Sequence, residues 1–165
     1  MKKTFSNLDR ELLPTVYKHL VRPHLEYENL IWHPRYKIDV KKVEGVQRRA
    51  TKIIPDLKDK PYQERLKCLK LYSMEYRRRR GDMIQVYKIL NEMDRLETSN
   101  FFTKRENITR GHSKKLFKSR FKQEIRRHSF SQRVIDDWNS LTENIVASES
   151  LNIFKSRLDG HWETQ

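Results

Sequence analysis

The sequence predicts a mainly α-helical protein, in which a helical bundle is followed by a smaller basic module with two C-terminal helices. Apolar residues recur at helical spacing along most of the chain. Pro14, Pro23 and Pro55 mark points where a helix must bend, restart or end, because proline has no backbone donor. The length of 165 residues fits one domain, or one large and one small piece. Seven phenylalanines, seven tyrosines and three tryptophans are enough for a modest core, although 35% of the residues are charged.

The first helices are predicted from their caps and apolar stripes. Ser6 and Asp9 stand three residues apart, as in a capping box, and an apolar stripe runs from Leu8 to Leu20. A second short helix is expected from Pro23 toward Trp32. Further along, Lys60-Pro61 opens a short helix that carries Tyr62, Leu66 and Leu69, and a longer helix runs from about Ser73 to Met93.

The segment from Ile38 to Ile54 predicts a helix with two unlike faces. On a helical wheel, six apolar residues fall within about 140° of arc; they are Val40, Val43, Val46, Ala50, Ile53 and Ile54. The opposite side carries five basic residues, namely Lys41, Lys42, Arg48, Arg49 and Lys52. An ordinary solvated face is the simpler interpretation. The absence of acidic residues on this side favours a face that binds phosphate.

Four consecutive arginines occupy the first turns of the Ser73–Met93 helix. Arg79 lies inside the apolar arc of that helix, so we expect it to form a buried ion pair or to cap a carbonyl. Arg77, Arg78 and Arg80 lie outside the arc or at its edge and are candidate phosphate contacts.

Three parts are expected along the chain: a bundle over residues 1–93, a linker over 94–113 and a basic module over 114–165. The linker is polar and has no apolar period. From Lys114 to Arg127, basic residues alternate with apolar ones, and the stretch Leu116–Phe121 fits strand or helix; we expect a short hairpin or extended segment. The helical period returns at Phe130, and Ser148 caps the last helix.

The net charge of +14 and the pI near 10.0 predict a polyanionic partner, with nucleic acid ahead of an acidic membrane. Most of this charge lies in residues 35–80 and 104–133, and the tail after them is acidic. The sequence shows no membrane span and no secretory signal, so we expect an intracellular protein of the nucleus or cytoplasm with no membrane partner.

The residues of common catalytic and metal sites do not occur in the required patterns. The single cysteine, Cys68, excludes an internal disulfide and a thiolate metal cluster, and the six histidines have no ligand spacing. The four glycines are isolated, so no phosphate-binding loop is present. Asp136-Asp137 resembles a two-metal carboxylate pair, but it sits in an amphipathic helix and is expected to point outward. We therefore predict no metal, no cofactor and no catalytic residue.

Six blocks of the chain, in this order, resemble the C-terminal part of the reverse transcriptases of non-LTR (LINE-type, jockey-like) retrotransposons. The blocks are VRPHLEY (21–27), VQRRATK (46–52), RRRGDMIQVYKIL (78–90), RGHSKKL (110–116), FSQRVIDDWNSL (130–141) and FKSRL (154–158). The resemblance covers nearly the whole chain. It implies a thumb and the segment beyond it, without the polymerase palm, its catalytic carboxylates or the endonuclease. It departs from relatives that end in a zinc knuckle, because Cys68 stands alone.

The resemblance implies a protein that is no enzyme by itself, although the parent is an RNA-directed DNA polymerase. Its expected partners are RNA, an RNA–DNA hybrid duplex and the missing palm. The second basic block would hold the element RNA. The predicted nucleic-acid contacts are Lys41, Lys42, Arg48, Arg49, Lys52, Arg77, Arg78, Arg80, Lys114, Lys115, Lys118, Arg120, Arg126 and Arg127.

Two other interpretations stay open at the level of sequence. One is a free-standing basic protein that binds RNA or DNA and has no polymerase parent. The other is a non-functional relic of a mobile element. The sequence indicates neither the preferred RNA nor the oligomeric state.

Overall fold

The computed structural model describes residues 9–105 and 111–163, and this part of the chain is mainly α-helical, as predicted. Two compact units are present: the first ends at Arg78 and the second begins at Arg79. Ser6 and Leu8, which the sequence places at the start of the first helix, lie outside the described residues.

The first unit contains short helices around one long helix. Its elements are α1 (Leu12–Val16), a π-helical turn (Tyr17–Val21), α2 (Arg22–Glu26), α3 (Asn29–Trp32), α4 (Lys37–Thr51), a 3₁₀ turn (Pro55–Leu57), α5 (Tyr62–Cys68) and the beginning of α6 (Met74–Leu90). Asp9 caps α1, because its Oδ1 accepts from the backbone N–H groups of Leu12 at 2.7 Å and Glu11 at 2.9 Å. The π turn interrupts the helix that the sequence predicts to continue to Leu20.

The core of the first unit joins α1, α4 and α5. Its buried members are Leu13, Tyr17, Ala50, Ile54, Leu57, Tyr62, Leu66, Leu69 and Leu71. The predicted apolar arc of α4 is only partly inside, since Val40, Val43 and Val46 are half-buried. The face of α4 that is buried carries Glu44 and Gln47, which corrects the sequence prediction.

Glu44 and Gln47 are buried because each of them has several hydrogen-bond partners. Gln47 Nε2 donates to Tyr62 Oη at 3.0 Å and to the Tyr72 carbonyl at 2.9 Å, and Gln47 Oε1 accepts from Tyr17 Oη at 3.0 Å. The Glu44 carboxylate accepts from Tyr62 Oη and, at 3.0 Å, from the backbone N–H of Met74. Such satisfied groups are tolerated in a core. Burial, and next the Glu44 carboxylate, raise the pKa of both tyrosines above the usual range.

The second unit packs around Trp138 and Phe154. It contains the rest of α6, a 3₁₀ turn (Thr98–Asn100), α7 (Glu124–Arg127), α8 (Phe130–Asn139), α9 (Glu143–Val146) and α10 (Leu151–Glu163). Tyr87 stacks on Phe154 with ring centroids 4.3 Å apart, and both rings are buried. α8 and α10 correspond to the two C-terminal helices predicted from the sequence.

The division between the units lies inside α6, whereas the sequence placed the end of the first part at Met93. The reason is that the C-terminal half of α6, including Met83, Val86 and Leu90, belongs to the core of the second unit. Phe102, inside the predicted linker, is also buried in that core. The expected extended segment is limited, among the described residues, to one antiparallel bridge between Lys104 and Leu116.

Candidate nucleic-acid interface

The basic face of α4 points outward, as the sequence predicts. Its five cations, Lys41, Lys42, Arg48, Arg49 and Lys52, are all exposed. Lys42 pairs with Asp39 on the preceding turn, with Nζ and Oδ1 3.4 Å apart. For the other four, no described carboxylate lies within ion-pair distance. This surface therefore carries positive charge that nothing in the described chain neutralises.

The C-terminal end of this face forms one wall of a cavity of about 320 Å³. Arg48, Arg49 and Lys52 line it from α4, and the opposite side comes from the start of α5 and the residues before it. The lining on that side consists of Lys60, Pro61, Tyr62 and Arg65. No acidic residue lines the cavity. Five cations thus surround one small open volume within the first unit.

The ring of Tyr62 contacts two of these cations, Arg48 and Arg65. Its hydroxyl bonds to Gln47 and Glu44, so the ring cannot turn freely. The Arg48 guanidinium carbon lies 4.5 Å from the ring centroid and that of Arg65 lies 5.5 Å from it. Cations over an aromatic face are attracted by its quadrupole. The ring therefore holds both guanidinium groups beside the cavity.

Arg65 is the most deeply placed of the five cations, with 4% of its surface exposed. Its Nε donates to Thr51 Oγ1 at 3.0 Å, and its Nη1 donates to the Lys60 carbonyl at 2.8 Å. These are neutral acceptors, so they fix the guanidinium without cancelling its charge.

The first two arginines of α6 are not free phosphate contacts, which corrects the sequence prediction. Arg77 forms an ion pair with Glu26, in which Nη2 and Oε2 are 2.9 Å apart. Arg78 is buried, with 2% of its surface exposed. The helical wheel did not indicate this burial because the apolar arc was drawn from the whole helix, most of which packs in the other unit.

The next two arginines are also paired, through partners in the second unit. Arg79 donates from Nε and Nη2 to the two carboxylate oxygens of Asp137, both at 3.0 Å. The ion pair was expected to be buried, but about half of the Arg79 side chain is exposed. Arg80 forms the same bidentate pair with Asp159, in which Nε and Nη2 donate to the two carboxylate oxygens at 2.6 and 2.8 Å. Arg80 is therefore occupied rather than available for phosphate.

The second basic block is more neutralised than its sequence indicates. Lys118 pairs with Asp136, Arg127 lies 3.3 Å from Glu124, and Lys114 donates to Asn91 at 2.7 Å. Lys115 is half-buried. Arg120 and Arg126 are exposed, and no described carboxylate pairs with either of them. Among the predicted contacts of this block, these two arginines are thus exposed and without a described carboxylate partner.

Four residues of the cavity were absent from the sequence-based set: Lys60, Pro61, Tyr62 and Arg65. Tyr62 and Arg65 share one face of α5 with Leu66, and all three are buried. The signal available in the sequence was the spacing of Tyr62, Arg65 and Leu66, which places the arginine on the apolar face of a helix.

The described residues contain no group of three or more histidine, cysteine or acidic side chains that could hold a metal ion. None of their helices is long and apolar enough to cross a bilayer. Comparisons of the chain with protein-family models, curated proteins and solved structures found no match.

Proposed function

We propose that this protein binds nucleic acid through the basic face of α4 and the cavity at its end, and that it catalyses nothing by itself. The observation that carries the proposal is the set of exposed cations, Lys41, Arg48, Arg49 and Lys52, without a carboxylate partner among the described residues. Unpaired cations along one helix face match the regular negative charge of a phosphate backbone.

Contacts of this kind position a duplex without reading its sequence. They fit the role that the resemblance to retrotransposon reverse transcriptases implies, in which a thumb holds a template–primer duplex. We accordingly propose that the chain is the C-terminal part of such a polymerase and that the palm of the parent supplies the catalysis. The exposed Arg120 and Arg126 of the second unit would add contacts to RNA.

The test is a fluorescence-anisotropy titration with an RNA–DNA hybrid at salt concentrations from about 50 to 200 mM, a range over which six or more phosphate contacts cost about a thousandfold in affinity. The informative variant replaces Lys41, Arg49 and Lys52 with glutamine. We expect its salt slope to be smaller by about 2 to 3, since each lost phosphate contact removes about one unit.

A matched control replaces Lys58, Lys67 and Lys70 with glutamine. These lysines are exposed, belong to the same unit and have no described carboxylate partner, so the change in net charge is identical. The control should keep the wild-type slope. Equal losses in both variants would mean that only net charge matters, and the assignment to α4 would be wrong.

A further inference from the structure

We propose that the cavity between α4 and α5 binds the terminal phosphomonoester of a nucleic-acid strand. This inference rests on the proposed function, because the strand is the one whose backbone lies along α4. It adds a specific ligand group, a strand end that carries phosphate, to a surface that otherwise holds only backbone phosphodiesters.

The charge of the cavity exceeds what a single backbone phosphate requires. Five cations line it and no carboxylate does. Of these five, none forms an ion pair with a described acidic residue. A phosphodiester carries one negative charge, whereas a phosphomonoester carries about 1.5 to 2 near neutral pH and offers three acceptor oxygens. The terminal group is therefore the better electrostatic match.

Two of the five cations are held in position before any ligand arrives. Arg65 is fixed by Thr51 and the Lys60 carbonyl, and Arg48 lies on the ring of Tyr62. Tyr62 is itself fixed by two hydrogen bonds of its hydroxyl. Folding has already ordered these side chains, so they lose little further conformational entropy when a ligand binds. Such preorganisation distinguishes a binding site from a row of mobile surface lysines.

The cavity is open to solvent, so a strand end can reach it, and its size is that of a small-ligand site. The volume of about 320 Å³ is at the lower limit of pockets that enclose small ligands, which run from roughly 300 to 1,000 Å³. Its walls come from two helices, α4 and α5, joined by the residues that include Lys60. A backbone phosphate would have to enter with nucleotides on both sides. A terminal phosphate enters with one.

The experiment compares one short RNA–DNA hybrid in three forms: with hydroxyl groups at both ends of the primer strand, with a 5′-phosphate, or with a 3′-phosphate. A dye inside the duplex reports anisotropy at fixed salt. We expect one of the phosphorylated forms to bind about tenfold more tightly or better, which is the effect of one to two charge-assisted hydrogen bonds.

The variant Lys60→Gln should remove this gain, and Lys58→Gln should retain it. Both lysines are exposed and close in sequence, but only Lys60 lines the cavity. The gain is the ratio of the affinities of the phosphorylated and the hydroxyl-ended hybrid for the same variant, so a general weakening of binding does not affect it. A gain that survives Lys60→Gln would overturn the assignment to this cavity.

The outcomes separate the two proposals. Steep salt-dependent binding of the hydroxyl-ended hybrid without any gain from a phosphate overturns the cavity proposal and leaves the α4 interface intact. Absence of binding for all three forms overturns both. Loss of the gain on addition of inorganic phosphate at a concentration equal to that of the hybrid would assign the cavity to free phosphate, and the strand-end proposal would be wrong.

A pH series adds a readout that a backbone contact would not give. The second ionisation of a phosphomonoester lies near pH 6, so the gain should shrink as the pH falls from about 7 to about 5. Neither a histidine nor a carboxylate lines the cavity, and the remaining groups are Arg48, Arg49, Lys52, Lys60, Arg65 and Tyr62. The decline would therefore come from the ligand. A gain that is constant over this range would contradict the proposal.

Discussion

His112 is a buried titratable group in the second unit. Its Nε2 lies 3.0 Å from the Trp138 carbonyl, and its ring meets the Trp138 indole edge-on at 5.9 Å between centroids. Burial lowers the pKa of His112, and Lys115 acts in the same direction. The hydrogen bond to Trp138 and the charge of Glu143 oppose this shift. The neutral imidazole is therefore the form that the folded state favours.

The free energy of unfolding should fall as the pH drops below about 6.5, the pKa of histidine in an unfolded chain. The folded state binds this proton less readily than the unfolded state, so the stabilisation is complete above pH 6.5 and decreases toward the lowered pKa. Urea unfolding at several pH values between 7.5 and 5 measures this decrease. For one proton, the free energy of unfolding changes by at most about 1.4 kcal/mol per pH unit.

The variant His112→Gln should flatten this part of the profile, although it also costs stability. The variant His24→Gln removes an exposed imidazole instead of a buried one and is the matched control. The carboxylates with lowered pKa values, Asp9 and Glu143, act at lower pH and do not interfere. If the free energy of unfolding of the wild type stays constant from pH 7.5 to 5, the predicted effect of His112 is wrong.

At the scale of the element, α5 and α6 end with the same backbone arrangement. Lys70 and Glu92 adopt the left-handed conformation, with φ of 48° and 54°. The next residue in each case bonds back to the helix: Leu71 N–H to Leu66 O, and Met93 N–H to Lys88 O, both at 2.9 Å. This is a Schellman ending, which glycine fits best because a Cβ is disfavoured there.

Replacing Lys70 with glycine should raise the free energy of unfolding by up to about 1 kcal/mol, because the left-handed strain is relieved. Lys67→Gly inside α5 is the matched control and should lower stability by about 1 kcal/mol. Chemical denaturation of both variants measures the difference. The assignment of this ending fails if Lys70→Gly destabilises the protein as much as Lys67→Gly does.

α4 shows what periodicity can and cannot predict. The basic side of α4 could be predicted from the spacing of its residues, because exposed charged side chains need no partner from elsewhere in the chain. Its buried side was misplaced because Glu44 and Gln47 are buried only by virtue of Tyr17, Tyr62 and the Met74 N–H, which are distant in sequence. A polar residue is read as exposed until its partners are known.

At the scale of the whole molecule, the two basic blocks differ in how much of their charge is neutralised. The α4 face keeps four cations without a described carboxylate partner, while Lys118 and Arg127 in the second block have acidic neighbours. The helical fold class followed from apolar spacing. The division between the units did not, because α6 is continuous in sequence pattern, although its residues from Arg79 onward belong to the second unit.

Neutralising Arg120 and Arg126 together should weaken binding of single-stranded RNA more than neutralising Lys114 and Lys118, although the charge change is equal. The first pair is exposed and without an acidic partner among the described residues, whereas Lys118 already pairs with Asp136 and Lys114 donates to Asn91. Anisotropy at two salt concentrations measures both affinity and slope. Unchanged binding in the arginine variant would remove Arg120 and Arg126 from the RNA interface.

Cys68, the last residue of α5, is exposed and is the single cysteine of the sequence. One thiol on the surface permits stoichiometric attachment of a maleimide dye to the native chain, with no cysteine to remove or add. Because Cys68 is not among the residues that line the basic cavity, the label would report from the first unit without occupying that site. Without a reductant, the same thiol can join two copies through air oxidation, so sizing of the protein requires reducing buffer.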